Sequence, residues 1–222
     1  MPSVKLPRKS TDTDMTPFVD IAFLILSFFI MATKFKPPEP VEITTPGSVL
    51  SQKLPESNAV MITMDSANRV FFSVLSDKDK SKYDAIIQGI NEAQNLNLSP
   101  AEIASFRQVF AVGVPFSQLK QYLDMSDEEQ KKVRQAGIPV MDSATNELYW
   151  WIQESKKAFA GEKLNFLIKG DQKAKYPTFE AVVSALKRNE EFKYNLVTAL
   201  DDVPMGSELD KVLQVQGKVE KN

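Results

Sequence analysis

The sequence predicts an α+β protein carried on a single N-terminal membrane helix, and three observations predict it. An apolar block, FVDIAFLILSFFIMATKF from Phe18 to Phe35, lies close to the N-terminus. A proline-rich stretch follows it. Beyond that, short β-type runs alternate with segments of helical period, the pattern of a mixed sheet-and-helix domain. Hydrophobic residues are 43% and charged residues 25% of the 222, which places the chain among folded proteins rather than disordered ones.

Composition removes several function classes. The chain has no histidine and no cysteine. Cys/His zinc sites and Ser-His-Asp or Cys-His catalytic arrangements are therefore impossible within it. A net charge of −2 offers no basic field for nucleic acid. No phosphate loop, dinucleotide fingerprint or EF-hand occurs. Catalysis would need a carboxylate or lysine mechanism, for which no constellation is visible. The chain is expected not to be an enzyme and to carry no metal and no cofactor.

Residues 1–14 form a short polar tail with Lys5, Arg8 and Lys9. Residues 15–35 follow as a helix of ~31 Å at 1.5 Å per residue, close to a hydrocarbon core of roughly 30 Å. Two other readings compete. The fully apolar part, Ile21 to Ala32, is short enough for a buried core helix. The basic tail also resembles the start of a cleaved signal peptide, but Asp12 and Asp14 precede the block and no small-x-small site follows. An uncleaved anchor fits better, with the short tail inside the cell and the large C-terminal part outside.

Asp20 is the anomaly of this block. A carboxylate at membrane depth costs about 2.5–3.5 kcal/mol at the helix centre, less towards an end. Helical spacing puts Thr16, Asp20, Phe23 or Leu24, and Ser27 on one stripe, with Phe, Ile and Leu on the other faces. A polar stripe on an apolar helix faces protein or water. One reading makes Asp20 an interfacial residue reaching the headgroups, although Asp is too short to do this well. The other makes it a proton-carrying site turned towards a partner's helices. Pro17 suits the first turn of a helix, and Thr16 before it is placed to cap the helix end.

Residues 36–58 contain five prolines and are expected to be an extended linker, with Val41-Glu42-Ile43-Thr44 able to pair as a strand. A folded domain over 59–200 comes next. Val60–Met64 and Arg69–Ser73, separated by the turn residues Asp65-Ser66-Ala67-Asn68, read as a hairpin. A mainly helical insertion over 76–161 follows. In it Tyr83, Ile86, Ile87 and Ile90 keep helical spacing, and Ser99-Pro100-Ala101-Glu102 and Ser126-Asp127-Glu128-Glu129 read as capping boxes. Another helix is expected at Pro115–Tyr122. A stripe of Leu148, Trp151, Ile152 and Phe159 marks a further helix, Glu147–Ala160, whose aromatics read as core. A docking surface for protein or glycan is the alternative. Strand Leu164–Lys169, helix Thr178–Asn189 and strand Leu196–Leu200 close the domain. The charged run 169–173 reads as a solvated loop, and 201–222 as a polar tail.

Thr16-Pro17-Phe18-Val19-Asp20-Ile21 and its apolar helix closely resemble the N-terminus of the ExbD/TolR family. The hairpin from Val60 to Phe72, the segments 164–171 and 176–180, and Asn195–Leu200 resemble that family's remaining elements in the same order. The resemblance implies a small periplasmic α/β sandwich behind the anchor, in a single-pass protein of the bacterial inner membrane with its N-terminus cytoplasmic. It implies a subunit of a proton-motive-force-driven motor in which Asp20 carries protons, with Thr16 and Pro17 as motif neighbours. Ser27 joins them by spacing alone. The implied partners are an ExbB/TolQ-like multi-pass ring subunit, a second copy of the chain, and a TonB-like or Pal-like periplasmic protein. The insertion departs from the family pattern. It keeps open a rival reading as a non-motor, membrane-anchored binding or scaffolding protein.

Overall fold

The computed structural model describes residues 15–32, 41–49, 55, 58–76, 80–142, 145–201 and 207. The tail expected at 1–14, most of the tail expected at 201–222, and residues 33–40 of the expected helix end and linker lie outside the described residues. The chain divides into two compact units, Met1–Pro38 and Glu39–Asn222.

The first unit contains α1, Thr16–Ala32, whose 17 residues rise ~26 Å. None of its residues is buried. Among the described residues no helix is long and apolar enough to cross a membrane by itself. The first turn closes on the carbonyl of Met15, which accepts the N–H groups of Phe18 and Val19 at 3.1 Å each. Thr16 is thus the first helical residue rather than the cap. Pro17 sits in the first turn, where its missing N–H leaves no bond unmade.

The second unit begins with β1, Gly47–Ser48, and the hairpin β2, Ala59–Met64, and β3, Val70–Leu75. The hairpin turn is held by Asp65. One carboxylate oxygen accepts the N–H of Ala67 (3.0 Å) and of Arg69 (2.8 Å), and the other meets the Arg69 guanidinium. Asn68 takes φ +62°, a left-handed position that asparagine tolerates. The insertion supplies α2 (Ser81–Gln94), α3 (Pro100–Phe106), α4 (Phe116–Asp124), α5 (Asp127–Lys132) and α6 (Leu148–Ala158). Both expected capping contacts form. Ser99 N–H donates to the Glu102 carboxylate at 2.6 Å and Glu102 N–H to Ser99 Oγ at 3.3 Å, while Ser126 N–H donates to Glu129 at 3.0 Å. The last elements among the described residues are β4 (Asn165–Gly170), α7 (Tyr176–Arg188), β5 (Asn195–Val197) and β6 (Ala199–Leu200).

Four strands make one sheet in the order β3-β2-β4-β5. β3 runs antiparallel to β2, with Ile62 opposite Phe72. β4 runs parallel to both β2 and β5. The described part is therefore α+β, as expected. One sheet face, with Val60, Ile62, Val70, Phe72, Phe166 and Ile168, shares a single apolar core with α2, α6 and α7. Trp151 of α6 is fully buried in it, with ring centroids 4.8 Å from Phe72, 5.8 Å from Phe106 and 5.9 Å from Phe116. The aromatic stripe is core, as its spacing predicts. It ties the insertion to the sheet, so the two are not separate bodies.

The linker departs from expectation. Val41–Thr44 forms no strand, and the pairing lies a few residues later. β1 pairs in parallel with β6, Gly47 opposite Ala199 and Ser48 opposite Leu200. The N–H groups of Ala199 and Asp201 donate to Pro46 and Ser48 at 3.0 Å each. Strand alternation puts these odd-numbered amides on the side where β5 meets β4. β1 therefore takes up the lane that β4 leaves when it turns off into α7.

Candidate functional site

The residues singled out by sequence all lie on α1. At 3.6 residues per turn, Thr16, Asp20 and Ser27 fall within about 40° of one another, so the helix does bring them to one side. Asp20 stands roughly 6 Å along the axis from Thr16, and Ser27 about 10 Å further. The Asp20 side chain is exposed and shares a shallow surface with Met15, Thr16, Val19 and Phe23. Ser27 is half-exposed, and its hydroxyl donates to the Leu24 carbonyl at 2.9 Å. Its donor is spent on the helix's own backbone. The faces around Asp20 are bare: Phe18, Phe23, Leu24, Phe28 and Phe29 are all 58–67% exposed.

In the second unit a groove of about 280 Å³ opens where β2, β4 and β5 end and α7 begins. Met64, Ile168, Phe179 and Leu196 give it apolar walls, and Pro46 of the linker and Asp171 stand at its rim. Asp171 belongs to the run that reads as a solvated loop. The run ends in an exposed turn, and within it the Asp171 carboxylate accepts the N–H of Lys173 at 2.8 Å and of Thr44 at 3.0 Å. These two bonds, Lys173 first, hold its pKa below the ordinary carboxylate value. Gln172 N–H returns a bond to the Thr44 carbonyl at 2.9 Å. Sequence reasoning missed this contact because its partners lie 127 residues apart. The one available signal was the Asx-type spacing of Asp171 and Lys173.

Among the described residues no group of three or more acidic side chains could hold a metal ion. Glu147 is half-buried and accepts the Phe116 N–H at 2.8 Å at the start of α4. Burial raises its pKa. Its carboxylate thus holds the start of α4.

No curated protein and no solved structure matched the chain. A sequence profile of the family described as biopolymer transport protein ExbD/TolR matched residues 7–201. That range takes in α1 with Asp20, the linker, the whole sheet and the insertion. With most of its length so matched, the chain belongs to the ExbD/TolR family of biopolymer transport proteins.

Proposed function

We propose that this chain is the proton-carrying, single-pass subunit of a motor driven by the proton-motive force. The observation that carries the reading is Asp20, a carboxylate one turn inside a helix that is apolar outside the stripe of Thr16, Asp20 and Ser27 and has no buried residue. Such a helix is stable when lipid covers most of it and a polar partner meets the stripe of Thr16, Asp20 and Ser27. Family membership supports the setting. ExbD/TolR proteins are inner-membrane anchored and work with ExbB/TolQ and with TonB or Pal.

In this reading the segment 15–35 crosses the inner membrane with the N-terminus in the cytoplasm. Two copies place their Asp20 carboxyls inside a ring of ExbB/TolQ-like subunits. Each proton crossing 100 mV releases about 2.3 kcal/mol. The neutral and charged forms of Asp20 prefer different surroundings, so each cycle of protonation drives a shift of the helix pair against the ring. The periplasmic unit passes that motion to a TonB-like partner and so to transport across the outer membrane. A TolR-like role in envelope maintenance uses the same steps with a Pal-like partner. The subunit performs no covalent chemistry of its own.

Asp20→Asn tests this. The variant keeps the helix and the neutral form but cannot cycle. It should co-purify with the ring subunit at wild-type stoichiometry and support no proton-dependent work. Retained proton-dependent work in Asp20→Asn would overturn the mechanism. Full function after replacing 15–35 by an unrelated membrane anchor would support the scaffolding reading instead.

A further inference from the structure

The insertion has no role in the motor reading, but its contacts with the sheet define one. β3 is an edge strand with the sequence Val70-Phe71-Phe72-Ser73-Val74-Leu75. A six-residue run, four of them Val or Phe of high β propensity, with no charge, no proline and no glycine is the signature of a segment that recruits further strands. The opposite edge strand, β5, has only three residues, and short edges recruit poorly.

In the antiparallel pairing of β2 and β3, the even-numbered residues of β3 turn their backbone groups outward. The insertion takes four of these groups, from three separate places. Phe72 N–H donates to the Val112 carbonyl at 2.7 Å, and the Phe72 carbonyl accepts Val112 N–H at 2.8 Å. The Val70 carbonyl accepts Ile138 N–H at 2.8 Å. The Val74 carbonyl accepts the Tyr83 hydroxyl at 2.7 Å. The covering strip is itself clamped. Gln135 accepts the Gly113 N–H and donates to the Ala111 carbonyl (3.3 Å) and the Tyr122 hydroxyl (3.0 Å). Gly137, at φ +94°, passes so close that a Cβ there would stand 2.9–3.0 Å from Arg69.

We propose that the insertion is a built-in edge guard: residues 111–113 and 138 occupy the β3 edge in place of a strand from a second copy of this chain. The guard keeps the sheet from growing edge to edge. It depends only on the second unit and stands apart from the motor reading.

Val112→Pro removes the N–H that meets the Phe72 carbonyl and forces the strip off the strand. The detergent-solubilised full chain is examined by hydrogen exchange over 70–74 and by light scattering across a concentration series. We expect the Phe72 amide to exchange about tenfold faster or more, together with concentration-dependent assemblies larger than wild type. An opened edge with wild-type assembly size overturns the proposal. Gln135→Ala loosens the same strip from behind and serves if the proline variant does not fold; the same two readouts decide. Folded variants whose Phe72 amide stays protected also overturn it, since the strip would then not be what closes the edge.

Discussion

Replacing Trp151 by alanine tests whether the insertion and the sheet are one cooperative body. Trp151 is fully buried and touches Phe72 on the sheet, Phe106 on α3 and Phe116 on α4. Removing a buried aromatic of this size costs about 3–5 kcal/mol, part lost transfer energy and part cavity. Domains of 150–250 residues lose about 2–4 °C per kcal/mol, so the melting temperature should fall by roughly 6–20 °C. Calorimetry of the detergent-solubilised full chain should show the second unit melting in a single transition, in wild type and variant alike. Trp151→Phe sharpens the test. It keeps most ring contacts and removes an indole N–H that meets no acceptor among the described residues, so its cost should be well below that of alanine. Two separate transitions, with only one displaced by Trp151→Ala, would refute the shared core. They would also revive the insertion as an independent module.

Three further outcomes are expected. Asp171→Ala should speed hydrogen exchange at Thr44, Ala199 and Asp201 and leave Phe72 protected. Because the bound form of Asp171 has a lowered pKa, its contribution to linker docking is complete above the ordinary carboxylate value near 4 and is lost only as pH falls through the lowered one; the same amides followed against pH check this. Glu147 has the opposite sign. Burial raises its folded pKa, so its charge weakens the fold at neutral pH and the penalty fades as pH falls towards about 4.3. Glu147→Gln, which can still accept the Phe116 N–H, should melt higher than wild type at pH 7.5 and gain little at pH 4. Gly137→Ala forces a side chain into a left-handed position against Arg69, and thermal melting should show a loss of at least about 1 kcal/mol.

What the sequence made legible was local. Ser99–Glu102 and Ser126–Glu129 announce their helix starts because capping is decided within four residues. Ile86, Ile87 and Ile90 announce the buried side of α2 because helical period carries the information. Asp20 stands out because an ionisable residue in an apolar run is conspicuous without any fold. Non-local pairings were not legible. β1 has two residues, and its partner β6 lies about 150 positions away. The single bridge of Phe72 to Val112 has no periodic signature. Ser27 shows a further limit. Spacing places it on the Asp20 stripe, but only coordinates show its hydroxyl bonded to Leu24.

The lane shared by β4 and β1 has a consequence for genetics. Thr44 and Asp171 are neighbours although 127 residues separate them, and Pro46 and Ser48 lie against Ala199 and Asp201. Lesions near residue 200 should therefore phenocopy lesions in the linker, although about 150 codons separate the two. Second-site revertants of an Asp171 allele should cluster at codons 44–48 and 199–201 rather than beside the original change. A selection for such revertants would outline the docked lane from allele pairs alone.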